Sequence, residues 1–210
     1  MKKSTLIYGG GAMGSFLAAC LYKSNHQIFF LCRKKNYKKI KKSGLRVNVF
    51  NNKILLKKIN LKNDKNFIIV NSLKKIKKFK FNNIFITTKI TSDLGKIFLD
   101  IEKFVDNKTL IITPCTSLPF WWYLCLKRKY FRKFEKKMKN IFLKNIKRKN
   151  LVGMTMWLSG KILKPGKVNI THIQRGFPIK EVFDKNSDKV TNLRKEISKT
   201  CLSPKVKNIF

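Results

Sequence analysis

The chain has 210 residues, of which 43% are hydrophobic and 12% aromatic, and this content predicts one substantial folded domain and argues against disorder. Its formal net charge of +39, from 49 Lys and Arg against 10 Asp and Glu, points toward nucleic acid or an anionic membrane surface. Lysines occur in nearly every segment, however, whereas a binding footprint concentrates on one face or element. We therefore favour an overall compositional bias, and we regard nucleic acid as an unlikely partner.

The cysteines and the apolar stretches bear on the cellular compartment. The five cysteines are odd in number, lack C-x-x-C spacing and lie in apolar segments, which predicts buried thiols in a reducing cytoplasm. No signal peptide precedes the first apolar run. The longest apolar stretch, residues 110–126, is interrupted by polar residues and prolines and is shorter than the ~20 residues of a membrane span. These features predict a soluble cytoplasmic protein.

The beginning of the chain carries a glycine motif between a predicted strand and a predicted helix. Residues 4–8 form a short apolar run that glycine ends, as expected for a buried parallel strand. The pattern G-x-G-x-x-G follows. In this pattern Gly9 permits a tight turn, Gly11 lets backbone amides approach a pyrophosphate, and Gly14 allows close packing of helix on strand. The complete motif is Gly9, Gly10, Gly11, Ala12, Met13 and Gly14.

The segments after the motif complete a βαβ unit. Residues 12–23 predict a helix whose N-terminus directs free amides and a partial positive charge at a ligand, and residues 27–32 predict the second strand. The motif's mechanism requires this context, so we favour dinucleotide binding over a plain tight turn.

The residue that follows the second strand indicates which dinucleotide is bound. Enzymes that use NAD place an Asp or Glu about 20 residues after the glycine motif, where it binds the ribose hydroxyls. This chain has Arg33 there, followed by two lysines. Because an arginine can hold a 2′-phosphate that a carboxylate would repel, we predict NADPH rather than NADH.

The rest of the chain predicts further strands and helices of an α/β fold. Its doubly wound, mainly parallel sheet is of the Rossmann type, with additional antiparallel strands near the C-terminus and a small antiparallel ribbon inserted after the second helix. We predict helices at residues 38–42, 93–104 and 187–200, the last with Ser187 as its cap. The lysine run at residues 74–80 is interpreted as the solvated face of a helix or loop rather than a binding site. We predict strands at residues 45–50, 54–56, 67–70, 83–88, 109–113, 151–158, 167–173 and 177–183.

Two other parts of the chain invite functional interpretations. Residues 127–150 interleave basic and aromatic side chains and form the best nucleic-acid candidate, although an amphipathic helix with snorkelling lysines explains them as well. The aromatic cluster at residues 120–123 could be a substrate wall, but such clusters are more often core. His172 has no second ligand at metal spacing, which favours a structural histidine over a metal or catalytic one.

With these segments placed, the chain resembles the ketopantoate reductases (2-dehydropantoate 2-reductases). The order of the matching motifs extends over nearly the whole chain. The matching residues are Gly9 to Gly14, Asn25-His26, Arg33, Thr87-Thr88-Lys89, residues 118–123, Pro165-Gly166-Lys167-Val168 and His172. The resemblance implies NADPH-dependent reduction of 2-dehydropantoate, a 2-keto acid, to pantoate on the route to pantothenate and coenzyme A.

The resemblance also implies roles for particular residues. A lysine protonates the developing alkoxide, and amide or ammonium groups fix the substrate carboxylate. Lys89, at the carboxyl end of a predicted strand, and Thr116 become the candidate catalytic residues and also contact the cofactor. Thr116 stands where the family has an asparagine, so a hydroxyl replaces an amide. Ser159 falls where the family places small residues beside the cofactor, and it joins the glycine motif and Arg33 among the candidate cofactor-binding residues.

The end of the chain departs from the family pattern. Family members continue into a helical domain that supplies a general-acid lysine and substrate-binding side chains. We therefore expect residues 1–200 to form the NADP-binding domain, residues 201–210 to lead to an absent helical domain, and the chain to be a truncated or degenerate member. Two alternatives are a dinucleotide-binding module without catalysis and, less favoured, a basic nucleic-acid-binding protein.

Overall fold

The computed structural model describes residues 2–51, 53–89, 94–116, 146–173, 177–181 and 187–201. The eleven strands within these ranges are β1 (Ser4–Tyr8), β2 (Gln27–Leu31), β3 (Leu45–Asn51), β4 (Ile54–Leu61), β5 (Phe67–Val70), β6 (Asn83–Ile86), β7 (Leu110–Cys115), β8 (Leu151–Thr155), β9 (Leu158–Lys164), β10 (Lys167–Ile173) and β11 (Ile179–Glu181). The helices are α1 (Ala12–Lys23), α2 (Lys34–Ser43), α3 (Leu94–Ile101) and α4 (Asp188–Cys201). Three short 3-10 turns cover Leu73–Ile76, Glu102–Phe104 and Arg148–Asn150.

The main sheet has seven strands in the order β11-β8-β7-β6-β1-β2-β5. Its six strands from β8 to β5 are parallel, and β11 pairs with β8 in the antiparallel sense. The chain moves outward from β1 through β2 to β5 and then returns to the other side of β1 with β6. This reversal makes β1 the switch point at which a doubly wound sheet opens a crevice at the carboxyl ends of its strands. The Rossmann-type fold class predicted from the sequence is confirmed.

A second sheet of four strands, β4-β3-β10-β9, covers the first helix. β10 runs parallel to β3, while β4 and β9 are antiparallel edge strands. Helix α1 contacts strands of both sheets and is buried continuously from Gly14 to Leu21. A helix enclosed on both sides needs apolar or small residues around its whole circumference, which α1 supplies.

Several predicted boundaries change in the structure. β4 extends to Leu61 because the alternation of exposed and buried residues continues, with Ile59 buried between exposed neighbours. β5 pairs with β2 in the main sheet and is not part of the inserted ribbon. The lysine run at residues 74–80, expected as a helix or loop, contains the end of the 3-10 turn Leu73–Ile76 and no α-helix. Ser187 precedes α4, but its hydroxyl donates to Glu181 Oε1 at 2.6 Å instead of capping the helix.

One buried contact at the amino edge of the main sheet ties α4 to the strands. His26 is 2% exposed and lies between Thr5 Oγ1, 2.9 Å from its Nδ1, and Glu196 Oε2, 3.1 Å from its Nε2. Lys3 Nζ pairs with the other carboxylate oxygen of Glu196 at 2.6 Å. Asn83 Nδ2 donates to Thr5 Oγ1 at 3.2 Å, so one network links β1, β6 and α4.

The cysteine expectation needs one correction. Cys20, fully buried in α1, is disulfide-bonded, so the prediction of five buried thiols is wrong at this residue. Cys32 is a buried thiol. In the part of the chain that the structure describes, no helix is long and apolar enough to cross a membrane.

Candidate functional site

The carboxyl edge of the main sheet brings the predicted site residues to neighbouring loops. The glycine turn follows β1, Arg33 follows β2, Lys89 follows β6 and Thr116 follows β7. Because these strands are adjacent in the sheet in the order β7-β6-β1-β2, the four loops lie side by side.

The glycine turn is shaped by two residues that tolerate no side chain. Gly9 has φ +128°, a left-handed conformation, and a Cβ there would come within 2.8 Å of Thr87 Oγ1. A Cβ on Gly14 would collide with the Gly9 carbonyl and lie 2.5 Å from Thr87 Oγ1. The turn therefore holds the first helical residues directly against the end of β1, in the roles that the motif predicts for Gly9 and Gly14.

Gly11 differs from Gly9 and Gly14 because the space beside its Cα is open. A Cβ at this position would meet no heavy atom within 4 Å. Gly11 is the N-cap of α1 and provides no side-chain cap, and its carbonyl accepts the Ser15 amide at 2.9 Å. The amides of the first helical turn thus point away from the helix without an intrahelical partner, next to an open cradle. This arrangement suits a phosphate group, since the helix dipole adds a partial positive charge there.

Arg33 lies beside the glycine turn and begins the second helix. Cys32, its neighbour, is so close to the turn that a Cβ on Gly10 would lie 3.0 Å from Cys32 Cβ. Arg33 is the exposed N-cap residue of α2, and the first turn of α2 contains no acidic residue. Among the described residues it forms no ion pair, so its guanidinium is available to an anion.

The side chain of Thr87, the residue that follows β6, holds the glycine turn in place. Thr87 Oγ1 donates to the Gly9 carbonyl at 2.8 Å, and the Thr87 amide donates to Tyr8 O at 2.9 Å. Thr88 follows, and its buried Oγ1 has no hydrogen-bond partner in the described structure. Sequence reasoning included Thr87 and Thr88 in the family resemblance but not in the site, and the polar pair at the end of an apolar strand was the available signal.

Lys89 and Thr116 are both exposed at this edge, and Lys89 directly follows Thr88. The backbone before Thr116 is fixed by the Met156 amide, which donates to Cys115 O at 2.7 Å. The structure therefore places both candidates on adjacent loops with their side chains accessible.

Ser159 reaches the region from the second sheet. It lies in β9 opposite His172 of β10, and both residues are exposed. The next residue, Gly160, packs so closely on the first turn of α1 that a Cβ there would lie 3.2 Å from Ala12 Cβ. The backbone of β9 thus lies against the first turn of α1 at Gly160, and the exposed Ser159 is on the opposite face of the strand.

Two titratable side chains near the edge are poor acids and bases at neutral pH. Burial raises the pKa of the Cys32 thiol to about 11. Burial, the charge of Asp100 on α3 and the hydrogen bond to that carboxylate raise the pKa of Tyr8 to about 12. Neither side chain is therefore suited to proton transfer near neutral pH.

The other candidates from the sequence are a metal site and the aromatic and basic segments. Within the described ranges no group of three or more His, Cys, Asp or Glu side chains is placed to hold a metal ion. The aromatic cluster at residues 120–123 and nearly all of the basic segment 127–150 lie outside the described residues.

The strand order and the glycine turn define a Rossmann-type α/β domain with the glycine turn at its switch point. A sequence model of the family described as ketopantoate reductase PanE/ApbA matches residues 5–114. The chain therefore belongs to the ketopantoate reductase family. Among curated proteins, no sequence matches this chain.

Solved structures share the fold at low sequence identity. The 2-dehydropantoate 2-reductase from Geobacter metallireducens aligns with a TM-score of 0.67 at 17% identity, over 92% of this chain and 55% of its own. The same enzyme from Porphyromonas gingivalis aligns with a TM-score of 0.69 at 13% identity, over 94% and 61%. D-mandelate dehydrogenase, in complex with NADH and anilino(oxo)acetate, gives 0.65 at 18% identity, over 98% and 58%. The chain thus spans a little over half the length of these structures.

Proposed function

We propose that this chain is the cofactor-binding part of an NADPH-dependent oxidoreductase that reduces the 2-keto acid 2-dehydropantoate to pantoate, a step of pantothenate and coenzyme A biosynthesis. The observation that carries the proposal is the open cradle at Gly11, beside the free first-turn amides of α1 and next to Arg33. Membership of the ketopantoate reductase family supports the reaction class, and a fold neighbour in complex with NADH supports a nicotinamide dinucleotide as the ligand.

The described residues fit such a cofactor. The glycine turn from Gly9 to Gly14 would receive the pyrophosphate, because a ligand can fill the space beside Gly11 without displacing protein atoms. Arg33 would pair with the 2′-phosphate, and the absence of an acidic residue from the first turn of α2 removes the repulsion that NADP would meet in an NAD enzyme. Ser159 would border the cofactor from β9.

Lys89 and Thr116 would act at the nicotinamide half of the crevice. When bound, the reduced nicotinamide supplies a hydride for the ketone carbon. The Lys89 ammonium would fix the substrate carboxylate through a charge-assisted hydrogen bond, and the Thr116 hydroxyl would donate a hydrogen bond beside the reacting carbonyl. In the family pattern, the proton for the developing alkoxide comes from a lysine of the helical domain.

The domain division belongs to the same proposal. Residues 1–200 would form the NADP-binding domain, and residues 201–210 would lead toward the substrate-binding part that the longer relatives contain. This chain covers 55% of the Geobacter structure.

A fluorescence titration of the purified chain with NADPH and with NADH tests the cofactor assignment. We expect NADPH to bind at least about tenfold more tightly, because one charge-assisted contact contributes about 1.5 to 3 kcal/mol. Equal affinities, or tighter binding of NADH, would refute the choice of NADPH, and failure of both to bind would refute the cofactor site.

An assay of NADPH consumption with 2-dehydropantoate tests the reaction. We expect no turnover from these 210 residues alone and turnover after fusion to the helical domain of a family member. Turnover by the chain alone would refute the need for that domain. NADPH binding without turnover in the fusion would instead favour a dinucleotide-binding module without catalysis.

A further inference from the structure

A second concave site lies at the amino edge of the main sheet, at the opposite end of the strands from the glycine turn. It is a pocket of about 240 Å³ between the start of β7, the 3-10 turn Arg148–Asn150, the end of β11 and the start of α4. Its polar wall includes Lys108, Lys149 and Lys189, one from each of three separate parts of the chain. Nothing in the proposed reductase reaction uses this pocket.

Hydrogen bonds fix two of the lysine-bearing segments to each other. Asn150 is 1% exposed, and its Nδ2 donates to Asp106 O at 2.9 Å and to Thr109 O at 2.8 Å. Its Oδ1 accepts the Lys147 amide at 2.9 Å. This side chain therefore locks the turn that carries Lys149 onto the loop that carries Lys108.

The third segment is fixed by Glu181. Its two carboxylate oxygens accept the Ser187 amide at 2.7 Å and the Ser187 hydroxyl at 2.6 Å, which anchors the start of α4 to the end of β11. Lys189 follows in the first turn of this 14-residue helix. The pocket wall is thus built in advance, and its lysines lose less freedom on binding than those on a mobile loop.

The charges around the pocket favour an anion. None of the three lysines forms an ion pair with a described residue. Among the described residues that line the pocket, Glu181 is the only carboxylate, and both of its oxygens accept hydrogen bonds from Ser187. Two aspartates are nearby: Asp106 accepts the Lys108 amide at 2.7 Å, and Asp188 begins α4. The three ammonium charges outnumber the Glu181 carboxylate of the described wall, and an anion between them would lower their mutual repulsion.

We propose that this pocket is a second anion site that binds a small phosphate-bearing ligand of the size of inorganic diphosphate. The volume of about 240 Å³ admits such a group, whereas pockets for drug-sized ligands measure about 300 to 1,000 Å³. The first amides of α4 add a partial positive charge to the three lysines. Binding joins β7, β11 and α4, so the ligand also stabilises this edge of the fold.

Titration calorimetry with inorganic diphosphate at fixed ionic strength tests the site, with NADPH present at saturating concentration so that the proposed cofactor site at the glycine turn is already occupied. The pocket variant combines Lys108→Gln, Lys149→Gln and Lys189→Gln. The matched control combines Lys62→Gln, Lys161→Gln and Lys164→Gln, three exposed lysines outside the pocket. Both triple variants have the same net charge, so general attraction of diphosphate to a basic protein affects them equally.

We expect the pocket variant to lose about tenfold or more in diphosphate affinity and the control to stay within about twofold of the unaltered chain. Circular dichroism and a cooperative urea transition check that the variants fold, and single substitutions replace the triple variant if it does not. Equal losses in both variants, an undiminished affinity in the pocket variant or no binding to the unaltered chain would each overturn the proposal.

Discussion

Two glycines of the turn, Gly11 and Gly14, have different surroundings in the structure. Gly14 lies where a side chain would collide with Gly9 and Thr87, whereas Gly11 faces open space. The fold therefore requires glycine at position 14, whereas at position 11 only the proposed cofactor would require it. Alanine substitutions at positions 14 and 11 distinguish these two cases.

We expect Gly14→Ala to lower the free energy of unfolding by about 3 kcal/mol, because the added methyl overpacks a contact with backbone. Gly11→Ala should cost less than about 1 kcal/mol, the usual preference of an N-cap for Gly over Ala. Urea denaturation of the two variants measures both values. Equal losses would show that the cradle at Gly11 is not open.

Arg33 determines cofactor preference in our account. Arg33→Asp places a carboxylate where it can bind ribose hydroxyls and repel a 2′-phosphate, so we expect NADPH affinity to fall at least about tenfold and NADH to become the preferred ligand. As the N-cap of α2, an aspartate should also stabilise that helix by about 0.5 to 2 kcal/mol. Fluorescence titration and urea denaturation report the two effects, and Lys35→Asp is the control. Unchanged NADPH affinity in Arg33→Asp would contradict the assignment.

Among the elements, α4 is attached to the main sheet by a network that depends on pH. Burial raises the pKa of Glu196, but hydrogen bonds from His26 and Lys3 outweigh burial and hold this pKa below its ordinary value of 4.5. A carboxylate whose pKa is depressed by folding contributes stability above its unfolded pKa, and the contribution is lost as the pH falls through the folded pKa.

We therefore expect the unaltered chain to be more stable than Glu196→Gln near neutral pH and to lose this advantage as the pH falls below about 4.5. Urea denaturation of both proteins across that range gives the difference. Glu102→Gln is the control for general loss of negative charge. A difference that does not change with pH would contradict the role of the Glu196 charge.

The buried side-chain amide of Asn150 holds the turn before β8 to the loop before β7. Asn150→Ala leaves the carbonyls of Asp106 and Thr109 without their donor, and we expect a loss of roughly 3 kcal/mol or more in the free energy of unfolding. The exposed neighbour Lys147→Ala should change stability by no more than about 0.5 kcal/mol. A loss below about 1 kcal/mol for Asn150→Ala would show that the side chain is not structural.

At the scale of the whole molecule, the sequence predicts local patterns better than long-range pairings. The strands of the main sheet are short apolar runs, and the glycine motif marks the crevice at its switch point. The second sheet depends on the parallel pairing of β3 with β10, two segments that are far apart in sequence. No local periodicity shows that these strands meet over α1.

The same limit applies to the candidate site. Gly9 and Arg33 could be predicted because their roles depend on the adjacent strand and helix. Thr87 holds the turn through a hydrogen bond to a residue 78 positions away, which spacing alone does not reveal. Cys20 likewise gives no local sign of its disulfide.

The most direct test of the central claim is an NADPH titration of the unaltered chain beside Gly11→Ala. We predict that the unaltered chain binds NADPH. Gly11→Ala should remain folded but lose about tenfold or more in NADPH affinity, because its methyl group would occupy the space that the pyrophosphate would fill. Equal NADPH affinities for the two folded proteins would contradict the account.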